Sequence, residues 1–142
     1  MRLFTLIFVA ALALIPGLVL AEQEEEAAVK RVVEATADLL NAGKVESLMA
    51  LYPDDAKIYN RSVGRQLSIT EHREQVERVV SQRLFSRLDV DRLKASITDS
   101  THASVEGWLY LSLPNGARSV WNQVWFLEKR DGQWLIVESR PR

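Results

Sequence analysis

The sequence predicts an α+β domain, with helices in its first half and a sheet of long antiparallel strands after them. Three observations carry this. Apolar residues recur at three- and four-residue spacing across residues 29–51 and 69–85, then at period two from residue 88 onward. Asp131-Gly132 separates two apolar, β-rich runs, and this dipeptide tolerates the positive φ angles of a tight hairpin. The run before that turn is apolar on both faces. Val120, Val124 and Phe126 alternate with Trp121, Trp125 and Leu127, as expected of a central strand covered on both sides.

The chain has the layout of an exported protein. Residues 1–21 combine Arg2, an apolar run, a late Pro16-Gly17 break and Val19-Leu20-Ala21 before an acidic stretch, which reads as a secretory signal peptide cut after Ala21. The competing reading is an uncleaved anchor, since the run approaches the length of a membrane span. A single domain over residues 22–142 remains, enough for one core. The net charge of −1 becomes one unit more negative when Arg2 is lost, so no basic face for nucleic acid is expected. With no cysteine, the fold must be held by its core. A periplasmic or secreted location is expected, with no membrane contact after cleavage.

The elements follow in order. The acidic residues 22–26 suit the positive end of a following helix. Val29, Val32, Val33, Thr36, Leu39 and Leu40 form the apolar stripe of that helix, which Gly43 ends. A short second helix over residues 45–51 buries Val45, Leu48 and Met49, and Pro53 stops it. Residues 56–59 are a brief strand and 60–64 a loop. Ser68 and Glu71 make a capping box opening a third helix to about Phe85. Its inner positions are Ile69, Val76, Val79, Val80 and Leu84, and His72 falls with the solvated charges. Residues 88–98 and 103–113 are strands, with Gly107 marking a bulge or bend, and the hairpin completes the sheet.

Three short helices can cover only one sheet face. Burying a large aromatic contributes roughly 2–3 kcal/mol, so the second apolar face calls for a cover. A homodimer packed sheet to sheet supplies it.

Residues 39–56, LLNAGKVESLMALYPDDA, and 124–137, VWFLEKRDGQWLIV, resemble elements of the nuclear transport factor 2-like superfamily, in its SnoaL-like and ketosteroid-isomerase-like branch. The stretch over 39–56 is similar to the family's helix, break, short helix and entry into the first strand. The stretch over 124–137 is similar to its closing hairpin, where a Trp follows the Asp-Gly turn. The resemblance covers nearly all of residues 22–142. It implies a cone: a curved antiparallel sheet packed on three N-terminal helices, with a pocket at the open end and frequent dimerisation through the sheet. Ketosteroid isomerases of that branch use a carboxylate base, a Tyr and a protonated Asp. The corresponding positions here are Asn60, Thr36 and Gln123, so all three roles are lost.

Chemistry is sparse elsewhere. His72 and His102 are not at ligand spacing, and no metal site or cofactor is expected. No Gly-x-Ser-x-Gly elbow or Gly-rich phosphate loop occurs. Asp54 and Asp55 read as turn residues after Pro53 rather than as a base. Arg140 and Arg142 read as a frayed tail. Tyr59, Asn60 and Arg61, with Gln123 and Tyr110, are the expected ligand-binding set in an otherwise apolar cavity.

Two function classes remain. One is a non-catalytic module that binds a small apolar ligand or a partner. The other is a cofactor-free SnoaL-like enzyme: an isomerase, cyclase or hydrolase. Loss of every acid–base position favours the first. A pocket holding an ionisable residue with a strongly shifted pKa would favour the second.

Overall fold

Asp131 and Gly132 stand at φ +50° and +76°, and the turn they make joins the two strands on which the sheet is built. In the computed structural model, which describes residues 15–142, these are β5 (Arg118–Arg130) and β6 (Gln133–Pro141). Before them come α1 (Ile15–Asn41), α2 (Val45–Met49), β1 (Lys57–Asn60), β2 (Arg65–Ser68), α3 (Ile69–Ser81), β3 (Arg87–Ile97) and β4 (His102–Ser112). Three helices pack against one face of a six-stranded sheet of order β2-β1-β6-β5-β4-β3. The expected leader lies outside the described residues up to position 14.

The sheet is mixed, not purely antiparallel. β1 runs parallel to β6, with Lys57 opposite Glu138 and Ile58 opposite Ser139. The reason is connectivity: β1 comes back to the sheet beside its last strand, while every other neighbouring pair is antiparallel. β2, which follows the expected loop over residues 60–64 and has no counterpart in the sequence reading, pairs with β1 through a turn that Gly64 makes at φ +74°.

The two-faced β5 divides as its alternation demands. Trp125 and Leu127 are buried at 3% and 1% exposure and Trp121 packs against the same core, whereas Val120 on the other face is 45% exposed. Val29, Val33 and Ala37 of α1 meet Val105, Leu109, Trp134 and Ile136 of the sheet in that core. Gly43 ends the helix region at φ +68°, and the capping box at Ser68 and Glu71 is formed.

Several boundaries differ from expectation. The acidic residues 22–26 are not a lead-in but lie within α1, which is exposed throughout residues 17–24. Packing begins at Glu25, which accepts hydrogen bonds from Lys129 Nζ (2.9 Å) and Trp134 Nε1. α3 ends at Ser81, with Arg83 at φ +52°, so Leu84 is exposed. The C-terminal tail is not frayed. Arg140 lies in β6 with its guanidinium 4.8 Å from the Phe126 ring centre, and Arg142 pairs with Glu106 at 2.7 Å.

Gly107 is explained by space. β3 bulges between Asp91 and Lys94, with Arg92 at φ +53°, and this brings the opposite strand close. A Cβ on Gly107 would lie 2.4 Å from Leu93 Cδ2 and 3.1 Å from the Asp91 carbonyl oxygen. Gly107→Ala should therefore cost about 1–3 kcal/mol in chemical denaturation, by overpacking. Adding Leu93→Ala should return part of the loss in a double-mutant cycle. Additive losses would mean that the Leu93 contact is not the cause.

Candidate functional site

Between the helices and the concave face of the sheet lies a cavity of about 560 Å³, within the size range of small-molecule sites. Its body is apolar: Leu40, Leu48, Ile58, Val76, Val79, Leu109, Leu111 and Trp125 all contribute. Each is delivered by periodicity, the helices at three- and four-residue steps and the strands at steps of two.

Of the expected binding set, Tyr59, Asn60, Arg61 and Gln123 line this cavity. Tyr110 does not. In β4 it alternates with the inward Leu109 and Leu111 and pairs with Val120 on the outer face, where the Arg118 guanidinium lies 5.7 Å from its ring centre. Thr36, Asn60 and Gln123, the three positions that the resemblance implied, all meet in this one cavity. None can exchange a proton at neutral pH. Thr36 donates to the Val33 carbonyl at 2.6 Å, as a helix hydroxyl commonly does. Asn60 Oδ1 accepts from the Val63 amide at 3.0 Å, so that side chain shapes the β1–β2 turn.

Gln123 is buried at 6% exposure and its orientation is fixed by chemistry. Trp121 Nε1 lies 3.0 Å from it, and an indole N–H only donates, so the facing atom is the amide oxygen. Among the described residues the Gln123 amide NH₂ has no hydrogen-bond partner. The Arg61 guanidinium sits 5.2 Å from the Trp121 ring centre, tying the β1–β2 turn to the sheet.

His72 is the residue that sequence reasoning misses, since its neighbours place it on a solvated face. It lines the cavity, edge-on to Tyr52 with ring centres 5.3 Å apart and planes at 79°. Neither ring nitrogen is accessible or hydrogen-bonded. Burial therefore lowers its pKa from 6.5 to about 4, because the imidazolium would be desolvated. Burial likewise pushes the Tyr52 phenol upward. The position is legible in principle, since His72 stands three residues after Ile69 and four before Val76 on the buried stripe of α3.

Asp55 is structural, as expected, but through a different contact. It receives Arg130 Nη1 and Nη2 at 3.0 and 3.2 Å, and that guanidinium lowers its pKa. Among the described residues no cluster of three or more His, Asp or Glu is arranged for a metal ion, and no helix is long and apolar enough to cross a membrane.

A search of curated proteins finds no match. Among solved structures, a Mycobacterium tuberculosis protein of unknown function is similar at 18% identity and TM-score 0.73, over 87% of this chain and 74% of its own. A candidate scytalone dehydratase from Novosphingobium aromaticivorans matches at 18% identity and TM-score 0.66, over 85% of this chain and 86% of its own. The association domain of C. elegans CaMKII matches at 15% identity and TM-score 0.66, over 84% of this chain and 95% of its own. At such identities these likenesses speak to fold alone. The model of the SnoaL-like domain matches residues 33–137. That span runs from the first helix through the closing hairpin, the same elements that enclose the cavity. The chain belongs to the SnoaL-like domain family, a branch of the nuclear transport factor 2-like superfamily.

Proposed function

We propose that this protein is an exported, non-catalytic module that binds a small, largely apolar ligand in the cavity and works as a homodimer paired through the outer sheet face. The observation that carries the binding reading is the composition of the cavity: about 560 Å³, apolar in its body, with no Asp or Glu among the residues lining it. Proton transfer at carbon is most efficient with a base whose pKa lies near the working pH. The cavity does hold ionisable groups with strongly shifted pKa, the feature that would favour an enzyme, but His72 and Tyr52 both move away from neutrality. The His72 nitrogens are also shut off from any substrate in the cavity.

Dimerisation is supported by the outer face. Trp108, Tyr110, Val124 and Phe126 lie there partly exposed around Val120, with no helix of the described residues over them. Export is supported by packing. Residues 17–24 are exposed and the first anchored side chain, Glu25, stands just beyond the expected cut after Ala21.

Native mass spectrometry of the protein from a periplasmic fraction tests all three parts. The expected mass is a dimer lacking residues 1–21 and carrying a reproducible small adduct. Val120→Glu with Phe126→Glu should yield a monomer, because like charges would meet across a face that must desolvate. A wild-type monomer would overturn the pairing, and an intact N-terminus would overturn cleavage. A dimer that stays empty and takes up no apolar probe would overturn the binding reading.

One observation favours another reading, a cofactor-free enzyme: His72 and Tyr52 share an edge-on contact at the cavity wall. Ring rotation would turn a neutral imidazole nitrogen toward a substrate. Turnover that His72→Gln abolishes while probe binding persists would establish it.

A further inference from the structure

We infer that the ligand is an amphiphilic organic anion, whose apolar body fills the cavity while its carboxylate-type head meets Arg61 and Arg78 at the mouth. This rests on the binding reading above and adds the charge and polarity of the ligand. The formally charged residues lining the cavity are both arginines. Both are exposed, and among the described residues neither is within salt-bridge distance of a carboxylate. Of the arginines that do not line the cavity, Arg65, Arg73, Arg87, Arg130 and Arg142 each hold an Asp or Glu within 3.0 Å. Among the described residues Arg31, Arg83, Arg118 and Arg140 have no such partner, so it is the lining position that sets Arg61 and Arg78 apart.

Their placement favours an anion over solvent. Arg61 is held over the Trp121 ring, so its guanidinium is oriented by a partner that leaves its N–H edges free. Arg78 Nη2 donates to Gln75 Oε1 at 2.6 Å, with Gln75 itself on the cavity wall. That bond occupies one donor of five and leaves the fork able to receive a carboxylate. Deeper in, the open group of Gln123 is again a donor, since its oxygen is taken by the Trp121 indole. A cation would find no lining carboxylate to pair with. A wholly apolar ligand would leave the Gln123 NH₂ without a partner, which costs affinity. The ligand that satisfies all three groups has an anionic head and one acceptor oxygen along its body.

Two fluorescent probes sharing a framework test this: anilinonaphthalenesulfonate, an anion, and phenylnaphthylamine, which lacks the sulfonate. The full domain is titrated with each at low and high salt. Wild type should bind both, preferring the anion by about tenfold at low salt, with the preference shrinking as salt rises. Arg61→Gln with Arg78→Gln should erase the preference, weakening the anion far more than phenylnaphthylamine. Val79→Trp, which narrows the cavity, should weaken both probes and separates cavity binding from adsorption on the outer sheet face. Equal affinity of wild type for the two probes, or a preference that survives the double substitution, would overturn the anion inference while leaving the binding reading intact. Failure of both probes to bind, or binding insensitive to Val79→Trp in a folded variant, would overturn the binding reading itself. If Val79→Trp does not fold, the arginine comparison still decides the charge question, since both arginines are exposed.

Discussion

Lowering the pH from 7 to 4.5 should destabilise the protein by up to about 3 kcal/mol, and most of that loss should disappear in His72→Leu. The folded-state pKa of His72 is depressed to about 4, against 6.5 when solvated. In that interval the unfolded chain takes up a proton that the folded chain refuses. Stability contributed by the neutral ring is therefore complete above pH 6.5 and falls as the pH drops toward 4. A difference of 2.5 units at 1.36 kcal/mol each gives about 3 kcal/mol. Glu71 and Asp99 are depressed to about 2 by Arg65 and by the Thr101 amide respectively. What they add is present above their unfolded values, near 4.5 and 3.8, and is lost only at lower pH. The windows barely overlap, so urea denaturation at pH 7, 5.5 and 4.5 isolates the histidine. His72→Leu should also be at least as stable as wild type at pH 7, because it removes two buried nitrogens that lack partners. A wild-type stability flat across that range would mean that the ring is solvated in the folded state.

The local features are legible in the sequence and the long-range ones are dark. The Asp131-Gly132 turn, Gly43 past the first helix and the Ser68 capping box each depend on residues within a few positions of one another. Each rests on a conformational or hydrogen-bonding need that few residue types meet. The split of Trp121, Trp125 and Leu127 from Val120, Val124 and Phe126 follows from strand parity alone. The same parity, applied to β4, places Tyr110 on the outer face with Trp108 rather than in the ligand set. β2 escapes because four residues, RQLS, carry no resolvable period. The parallel pairing of β1 with β6 escapes because it joins residues about eighty positions apart through no sequence signal. The charged neighbours of His72, Arg73 and Glu74, point to solvent, but its spacing from Ile69 and Val76 is the better guide. Arg78 likewise falls with the solvated face, since only the closed cavity brings α3 and the β1–β2 turn to one rim.

Trp125→Ala should cost about 3–5 kcal/mol, the range for removing a fully packed aromatic. Trp121→Ala, on the same face of the same strand, should cost much less. Trp125 is 3% exposed and belongs to the central core with Val33, Leu109 and Ile136, so its deletion leaves a void that the rigid sheet cannot close. Trp121 is only partly buried against that core, and its loss opens the cavity toward water instead. A domain of this size has roughly 5–15 kcal/mol of net stability. Trp125→Ala should then survive as a folded species only at low temperature or with ligand present. The two substitutions should part in binding as well. Trp121→Ala removes the platform beneath Arg61 and the donor that orients Gln123, so the anionic probe should weaken more than the neutral one. Trp125→Ala enlarges the apolar body, and wherever the variant folds it should affect both probes alike. Equal stability losses would mean that Trp121 is as much a part of the core as Trp125, and the cavity would then be shallower than the lining residues imply.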